Sequence, residues 1–338
     1  MRILIIGGTK FIGPHVIRLL LEEGHDLTLF HRGKTSTNLS ENIQRIFGDR
    51  NKLDQHSNVL QKVKADVVLD MIPYSEKDAQ MVMKVFSGFA ERVVAISSAD
   101  VYRAYEILHR IKAGPVQEIP LKETDELRST FYPYRGKIQE DFAHDYEKIL
   151  VEKTVLNDTN FPGTVLRLPM VYGPHDPQRR MFEYIQRMKD ERPYILLDER
   201  MSDWKTSMGY VENVASAVVM TMLKKDTASH VLNIGEKEPL SMLERIKEIG
   251  KVMNWKGQVI SVPEGYLQNE IPFDTQQELV LDTTKIRERF NYMEAISHDE
   301  GIRRTVQWEL ANLPNESPFD YNQEDRMIHT LNLENGRH

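Results

Sequence analysis

The sequence predicts an α/β protein with a doubly wound parallel sheet and a smaller C-terminal α/β lobe. Two observations predict this class. Along the first 170 residues, short apolar runs alternate with segments whose apolar residues recur at helical spacing. A glycine-rich turn, Gly7 to Gly13, lies between the first apolar run and the first helical segment. Parallel strands joined by helices have right-handed crossovers, so we expect helices on both faces of the sheet.

Apolar runs bounded by turn residues predict the strands in chain order. They are Arg2 to Ile6, Leu27 to Phe30, Asp66 to Leu69, Arg92 to Ile96, Gly163 to Leu168 and His230 to Ile234. Helical spacing predicts the helices between the strands of the first part of the chain. These are Pro14 to Glu23, Asp78 to Ala90 and Asp141 to Asn157.

The chain changes character after Gly173, in segments that contain Pro174, Pro177 and Pro193. Amphipathic helices are predicted near Met181 to Met188 and at Leu240 to Met253, and Tyr210 to Leu223 should pack back on the first sheet as a helix. We therefore expect a first domain of residues 1–170, with residues 208–235 packing back on it. A second lobe would contain residues 171–207 and 236–338. The polar tail after Pro314 should be irregular.

Composition and charge exclude several classes of site and partner. The 338 residues include 51 acidic and 44 basic side chains, the formal charge is −7, and no long basic stretch occurs, so nucleic acid is not an expected partner. The chain has no cysteine, which excludes disulfides, zinc–thiolate sites and cysteine nucleophiles, and we expect no metal site. No apolar run approaches the roughly 20 residues that span a bilayer. We expect a soluble, cytoplasmic protein without membrane contacts.

The glycine-rich turn has the spacing of a phosphate-binding loop. A turn between a first strand and a first helix lets the backbone approach a pyrophosphate, whose charge the helix N-terminus stabilises. Gly7 and Gly13 occupy the outer positions of such a loop. The sequence therefore predicts a Rossmann-type domain that binds a dinucleotide. Its loop contacts would come from Gly7, Thr9, Lys10, Phe11, Ile12 and Gly13.

Four motifs follow one another along the chain. They are Ile5 to Gly13, Ser97 to Tyr102 after a strand, Leu166 to Pro174, and Asn233 to Gly235. Together they resemble the extended short-chain dehydrogenase/reductase family, which includes sugar-nucleotide epimerases and dehydratases, over nearly the whole chain. The resemblance implies a nicotinamide cofactor above the carboxyl ends of the strands, a substrate held by the C-terminal lobe, and a homodimer. The dimer would form through two helices, here Asp78 to Ala90 and Asp141 to Asn157.

The end of the second predicted strand favours NADP as the cofactor. NAD sites usually have an acidic residue there, which accepts the ribose hydroxyls, whereas this chain has His31-Arg32-Gly33-Lys34. A guanidinium binds a 2′-phosphate through two parallel hydrogen bonds. Lys10, at the middle glycine position of the family's loop, adds a cation beside the expected diphosphate. NAD remains the alternative, with Arg32 and Lys34 as solvated loop charges.

The resemblance implies further cofactor contacts along the carboxyl ends of the strands. Asp49 would contact the adenine, and Met71, Ile72 and Pro73 would line the inner ribose. The remaining residues assigned to the cofactor are His31, Arg50, Ser97, Lys148, Pro169 and Met170.

The family's catalytic residues are only partly matched. In the family, a Tyr and a Lys in the pattern YxxxK act with a Ser or Thr hydroxyl, where the phenol transfers a proton and the ammonium lowers its pKa and holds the nicotinamide ribose. Ser98 matches the hydroxyl. Asp100 stands where the sugar dehydratases have an acid that helps to remove water, although a surface turn is an equal alternative for it. None of the 13 tyrosines has a lysine four residues later.

The spacing to the next strand makes Lys148 the counterpart of the family's lysine. One turn before it stands His144, which can act as an acid or base near neutral pH. Tyr146 lies two residues from Lys148, which would place it on another helix face. Tyr134 follows a proline, as the family's tyrosine often does, and would reach Lys148 from a loop if residues 135–147 are an insertion. We predict that Tyr134 transfers the proton, with His144 as the second choice.

Two functions follow from these residues. In the second lobe, Arg179, Arg180 and Lys205 would bind a diphosphate or acidic substrate, with solvated side chains as the alternative. Trp204 or Tyr210 would stack on a ring. The leading interpretation is an NAD(P)-dependent epimerase, dehydratase or reductase that acts by hydride transfer on a small molecule such as a nucleotide sugar. The alternative is a cofactor-binding, non-catalytic member, as in the chloroplast stem-loop RNA-binding proteins and an accessory subunit of respiratory complex I, which the broken YxxxK pattern would fit.

Overall fold

The computed structural model describes residues 1–35, 43–267, 271–314 and 319–335. Within these residues, one seven-stranded sheet and two small two-stranded sheets occur, and all named strand pairs are parallel. The strands are β1 Arg2–Ile6, β2 Asp26–His31, β3 Gln44–Phe47, β4 Val67–Asp70, β5 Arg92–Ser98, β6 Gly163–Leu168, β7 Met170–Tyr172, β8 Tyr194–Asp198, β9 Met208–Tyr210, β10 Val231–Asn233 and β11 Gln258–Val262.

Helices connect these strands throughout the described ranges. They are α1 Ile12–Glu22, α2 Ser57–Gln61, α3 Glu76–Phe86, α4 Arg103–Leu108, α5 Lys148–Leu156, α6 Phe182–Lys189, α7 Glu199–Ser202, α8 Val211–Leu223, α9 Met242–Val252, α10 Thr284–Phe290, α11 His298–Ala311 and α12 Tyr321–Asn335. None of the helices in this part of the chain is long and apolar enough to cross a membrane.

The order of the main sheet is β10-β6-β5-β4-β1-β2-β3. The chain begins at β1, moves outward through β2 to β3, and returns to β4 on the other side of β1. In open α/β sheets, ligands bind at the carboxyl ends of the strands where the order reverses in this way. Here that point lies between Ile6 of β1 and Asp70 of β4, which are paired in register. The predicted doubly wound parallel sheet is confirmed.

Apolar side chains cover both faces of the main sheet. The central strand β1 is buried from Ile3 to Ile6, as expected for a strand with helices on either side. On one face, α1 and α8 contact each other, with Val16 and Val214 in one apolar cluster. On the other face, α3 contacts α5, with Val82 and Val151 in a second cluster. Burial of one such apolar side chain stabilises the folded state by about 1.5–3 kcal/mol.

The helix predicted over Asp141 to Asn157 is wrong in its first half. Residues Asp141–Ala143 form a single 3₁₀ turn, and α5 begins only at Lys148. Glu147 is extended, with φ −156° and ψ 90°, and its carboxylate accepts a hydrogen bond from Ile149 N at 2.9 Å. A side chain that caps a helix fixes its first turn, so Glu147 sets the start of α5.

The prediction of an irregular tail after Pro314 is also wrong where the tail is described. Residues Tyr321–Asn335 form α12. The Tyr321 hydroxyl donates to Asp190 at 2.6 Å, and Arg187 of α6 binds Glu324 at 2.7 Å. These contacts with the second lobe stabilise a polar segment that has little apolar periodicity of its own.

Candidate active site

The glycine loop after β1 forms a cradle that excludes side chains. Gly7 and Gly8 have φ values of +88° and +80°, a region that glycine adopts without strain. A Cβ at Gly13 would lie 2.2 Å from the carbonyl oxygen of Gly8, so only glycine fits where α1 crosses the loop. The start of α1 has no side-chain cap and no acidic residue in its first turn. Its partial positive charge is therefore available to an anion, as a dinucleotide diphosphate requires.

The end of β2 presents cations at the surface. Arg32 and Lys34 are exposed, whereas the His31 ring packs edge-on against Phe47 with centroids 5.1 Å apart. His31 Nδ1 accepts a hydrogen bond from Gly33 N at 3.3 Å, and burial, with a smaller effect from Arg45, lowers the pKa of His31. His31 therefore shapes the turn, and the exposed positive charge comes from its neighbours.

Arg50 is bound within the protein rather than presented to a ligand. Its Nη1 and Nη2 donate to the two oxygens of Asp70 at 2.8 and 3.0 Å, and its Nε lies 3.1 Å from Asp78. Burial disfavours the charged guanidinium, but the two carboxylates outweigh this effect and raise its pKa. Asp49 caps the following 3₁₀ helix by accepting from Asn51 N at 3.0 Å. Both predicted cofactor residues thus have structural contacts of their own.

The segment after β4 joins the glycine loop to the residues after β5. A Cβ at Gly7 would lie 3.1 Å from Ile72 Cγ1, so Ile72 packs directly on the loop. Lys148 Nζ donates to the carbonyl oxygens of Pro73 and Ile96, each at 2.8 Å. Ile96 belongs to β5, whose last residue is Ser98. Predicted cofactor and catalytic residues therefore meet at the carboxyl ends of neighbouring strands, as the sequence indicated.

Ser97 and Ser98 point to different surroundings. The Ser97 hydroxyl is buried and donates to Glu152 at 2.6 Å, and Glu152 in turn binds Arg167 at 2.7 Å. Ser98 is half-buried, and its hydroxyl accepts from Asp100 N at 3.2 Å, so it caps the 3₁₀ turn Ala99–Val101. Of these two serines, Ser98 is the one whose hydroxyl contacts Asp100, through the backbone N–H.

Asp100 is a buried acid and makes no surface turn. Its side chain is 4% exposed, and burial raises its pKa despite the opposing charge of Arg128. Oδ2 accepts two phenol hydrogen bonds, from Tyr146 at 2.7 Å and from Tyr134 at 3.1 Å. Oδ1 is buried and has no hydrogen-bond partner among the described residues. A carboxylate in this position can accept a proton from a neighbouring phenol and return it.

The sequence analysis places Tyr146 and Lys148 on different faces of one helix. That prediction assumed a continuous helix, whereas Tyr146 precedes α5 and is followed by the extended residue Glu147. Its ring centroid lies 5.6 Å from Lys148 Nζ, and its pKa is raised by burial and by the charge of Asp100. Burial lowers the pKa of Lys148 to about 8, against the stabilising charges of Asp100 and Asp70. A phenol, a carboxylate and an ammonium are thus brought together.

Tyr134 reaches the same carboxylate from a loop, whereas the sequence prediction concerns its reach to Lys148. Its ring lies edge-on to Tyr146, with centroids 4.9 Å apart, and its hydroxyl receives a hydrogen bond from Tyr105 at 2.9 Å. His144 is elsewhere: its side chain is 71% exposed, and its Nδ1 lies 2.7 Å from Asp145. Tyr105 could not be predicted from the sequence, because a lone tyrosine on a short helix resembles any partly buried aromatic residue.

A buried ion pair holds the loop and the start of α5 together. The guanidinium of Arg128 binds both carboxylate oxygens of Glu147 at 2.8 Å, and neither side chain is exposed. Arg128 Nε also donates to the carbonyl of Asp100 at 2.9 Å. Since Glu147 lies between Tyr146 and Lys148, this pair fixes both neighbours relative to Asp100.

The predicted substrate residues Arg179, Arg180, Trp204 and Lys205 all contact other parts of the chain. Arg179 binds Glu309, and Arg180 binds Asp176 at 2.7 Å. Trp204 is buried and lines a cavity of about 420 Å³ together with Arg200 and residues 116–119 and 275–278. Lys205 donates its backbone N–H to Glu278 at 2.9 Å. Pro169 and Met170 follow β6, with Met170 exposed.

The chain resembles a family model, several relatives and several solved structures. The sequence model of the NAD dependent epimerase/dehydratase family matches residues 3–235. The chain is 25% identical over 252 residues to a protein of Arabidopsis thaliana named chloroplast stem-loop binding protein of 41 kDa b, covering 70% of this chain and 59% of that protein. It is 24% identical over 338 residues to the UDP-N-acetyl-alpha-D-glucosaminuronate decarboxylase of Bacillus cytotoxicus, covering 91% and 97%.

The chain thus spans less than two thirds of the stem-loop binding protein but nearly all of the decarboxylase. Among solved structures, the UDP-glucose 4-epimerase of Thermotoga maritima with UDP-glucose has a TM-score of 0.68 and 18% identity, covering 92% of this chain and 99% of that one. This likeness establishes a shared fold over almost the whole of both chains.

Proposed function

The chain belongs to the NAD-dependent epimerase/dehydratase family, and we propose that it is an enzyme that transfers a hydride between a nicotinamide and a carbinol carbon of a nucleotide sugar. The observation that carries the proposal is the buried group of Asp100, Tyr146 and Lys148 beside the glycine loop. Burying a carboxylate, a phenol and an ammonium at one point is costly even when they are hydrogen-bonded, and such groups with shifted pKa values concentrate at functional sites. The names of the decarboxylase and epimerase relatives support a nucleotide sugar.

The residues of the cluster suit the proton side of such a reaction. The nicotinamide, when bound, exchanges a hydride with the substrate carbon. As the hydride leaves a carbinol, the hydroxyl proton passes to the Tyr146 oxygen, and the phenol proton passes to Asp100 Oδ2 at 2.7 Å. The raised pKa of Asp100 makes it able to hold that proton. In the reverse direction the same two steps return a proton to a carbonyl oxygen.

Lys148 has the geometry of a ribose anchor. An ammonium has three N–H donors, and two of them are used by the carbonyls of Pro73 and Ile96. We propose that the third donates to the nicotinamide ribose, as the resemblance implies. Tyr134, the proton-transfer residue predicted from the sequence, is the second candidate, because it also reaches Asp100 but at 3.1 Å.

We propose NADP as the preferred cofactor, with NAD as the alternative. The support is the exposed pair Arg32 and Lys34 after β2 and the exposed Lys10 beside the diphosphate cradle. Gly7, Thr9 and Phe11 to Gly13 would hold the diphosphate, and Met71 to Pro73 the inner ribose.

A homodimer through α3 and α5, which contact each other, and a cytoplasmic location belong to the same proposal. Light scattering coupled to size-exclusion chromatography tests the dimer.

The function is tested by incubating the protein with NAD or NADP and a panel of UDP- and dTDP-sugars. Absorbance at 340 nm reports net reduction of the nicotinamide, and proton NMR of the sugar reports redox-neutral epimerisation or dehydration. We expect product with the wild type and none with the matched variant Asp100→Asn, which keeps size but cannot take up a proton as a carboxylate does. Equal behaviour of the two proteins across the panel contradicts the proposal.

A non-catalytic role is the second candidate, favoured by the name of the stem-loop binding relative. The formal charge of −7 speaks against a phosphate-tracking surface. An RNA gel shift over a salt series distinguishes the two, because binding through phosphates weakens steeply as salt rises. Salt-sensitive RNA binding without sugar turnover would support this second role.

A further inference from the structure

A second buried polar cluster lies in the C-terminal lobe and shares no residue with the Asp100 cluster. Tyr172 ends β7, Glu236 follows β10, Arg245 lies on α9, and His298 is the first residue of α11. The first three side chains are almost inaccessible, with exposures of 1%, 7% and 3%. Four different elements therefore bring an acid, two bases and a phenol to one buried place.

The contacts inside this cluster are long for charged groups. Glu236 Oε1 lies 3.3 Å from His298 Nδ1, and Glu236 Oε2 lies 3.5 Å from Arg245 Nη2. Charge-assisted hydrogen bonds are usually about 2.7–2.9 Å long. Burial, and to a smaller extent the charge of Glu236, raise the pKa of Tyr172. The cluster is thus held together loosely, with room for further polar partners.

Several polar atoms of the cluster are buried without a hydrogen-bond partner in the described ranges. They are the Tyr172 hydroxyl, Glu236 Oε1, Arg245 Nε and Nη1, and His298 Nε2. Buried polar atoms in proteins are almost always paired with protein, water or a ligand. This group contains both donors and an acceptor, so whatever satisfies it must supply both kinds of hydrogen-bonding atom.

A cavity of about 240 Å³ opens onto this cluster. The residues that line it include Tyr172, Tyr210, Asn213, Glu236 and the turn Ser297-His298. At about 30 Å³ for each water, the volume is that of roughly eight water molecules, which is too large for a single bridging water and suits a small ligand.

The charges around the cavity are nearly balanced. Glu236 is offset by Arg245, and Glu294 by Arg287 at 3.2 Å. At the exposed rim, Lys237 stands beside Glu238. A ligand with a net charge would gain little from such surroundings and would lose its hydration. A neutral ligand with many hydroxyls loses less on entering.

We propose that this cavity binds a small neutral polyol of about the size of a monosaccharide, at a site separate from the proposed reaction centre. Each hydroxyl of a polyol both donates and accepts, so it can satisfy the Glu236 carboxylate and the Tyr172 hydroxyl together. The two tyrosine rings, with centroids 5.7 Å apart, provide an apolar wall for the C–H face of such a ligand.

The test is a titration with D-glucose, D-galactose and myo-inositol, followed by saturation-transfer NMR. The variants are Tyr172→Phe, which keeps the ring, and Glu236→Gln, which keeps the shape, each checked for unfolding by thermal melting. We expect at least one polyol to bind the wild type and each variant to weaken it about tenfold, the loss expected when a hydrogen bond to a buried polar partner is removed. The matched control Asp100→Asn should bind it as the wild type does.

Three outcomes would overturn the proposal. One is unchanged polyol affinity in two folded variants, and another is binding of acetate or tetramethylammonium at this site in preference to every polyol. The third is loss of binding in Asp100→Asn alone, which would locate the polyol at the reaction centre and leave the proposed function intact.

Discussion

The hydroxyl of Tyr146 donates a 2.7 Å hydrogen bond to Oδ2 of Asp100, although 46 residues separate the two in the chain. The bond links the turn after β5 to the residue that precedes α5. It also puts the phenol within 5.6 Å of the Lys148 ammonium, measured from Nζ to the ring centroid. A phenol therefore lies near Lys148 although the chain lacks the YxxxK spacing.

We predict that Tyr146→Phe lowers turnover of a confirmed substrate by about 10²–10⁴-fold, because it removes the group that exchanges a proton with the substrate oxygen. Tyr105→Phe serves as the matched control, since Tyr105 contacts only Tyr134 within the cluster. Rates under saturating cofactor and substrate separate this loss from weaker binding. A larger loss in Tyr134→Phe than in Tyr146→Phe would return the role to the loop tyrosine.

A second prediction follows from the pKa of Lys148, which burial lowers from its usual 10.5 to about 8. Between these two values the unfolded chain binds more protons than the folded protein, so this group makes the free energy of unfolding rise with pH. We expect the free energy of unfolding of the wild type, relative to that of Lys148→Met, to rise by about 1–3 kcal/mol from pH 8 to pH 10.5. Urea titrations at each pH measure it. Cofactor affinity should fall over the same range as the ammonium is lost.

A flat stability difference over this range would show that Lys148 is not shifted as its burial implies. Lys153, an exposed lysine of the same helix, provides the matched control as Lys153→Met, for which no such pH dependence is expected.

The glycine loop could be predicted from the sequence, whereas the neighbours of Lys148 could not. The backbone geometry that requires Gly7 and Gly13 is set by residues close to them in sequence, so their spacing is enough to identify the loop. The place of Tyr146 depends on where α5 begins, and that is decided by Glu147 and its ion pair with Arg128 across 19 residues. The sequence prediction assigns Arg50 to the cofactor. Its ion pairs with Asp70 and Asp78 could not be predicted, because both partners are distant in sequence.

The Arg128–Glu147 pair leads to a third prediction. Both side chains are fully buried, and removal of one partner leaves an unpaired charge, which typically costs about 3–5 kcal/mol. We expect Arg128→Met to lower the free energy of unfolding by that amount and to reduce turnover as Tyr146 and Lys148 lose their fixed positions. Urea titration measures the first effect.

The control for this pair is Lys225→Met, which breaks the exposed ion pair with Glu91 and should change stability little. Similar midpoints for the two variants would contradict a structural role for the buried pair.

A fourth prediction concerns the cradle of the glycine loop. In Gly13→Ala the added Cβ would lie 2.2 Å from the Gly8 carbonyl, so α1 must move away from the loop. We expect the dissociation constant of NADPH to rise by about tenfold or more, as an overpacking cost of about 1–3 kcal/mol would require. In the control Gly235→Ala, the nearest atom to the Cβ is 3.6 Å away, and affinity should be retained. Fluorescence titration decides between unchanged and weakened binding.

The last prediction is that the protein binds NADPH more tightly than NADH because of Arg32. The residue is exposed at the end of β2, where a carboxylate would otherwise accept the ribose hydroxyls, and a guanidinium can instead bind a 2′-phosphate through two hydrogen bonds. Hydrogen bonds to charged groups are worth about 1.5–3 kcal/mol, so Arg32→Ala should weaken NADPH by about 10–100-fold. NADH lacks the phosphate and should bind the variant as it binds the wild type. Lys62→Ala, an exposed lysine after α2, controls for the loss of one surface charge. Equal losses for both nucleotides in Arg32→Ala, or tighter binding of NADH by the wild type, would assign the protein to NAD.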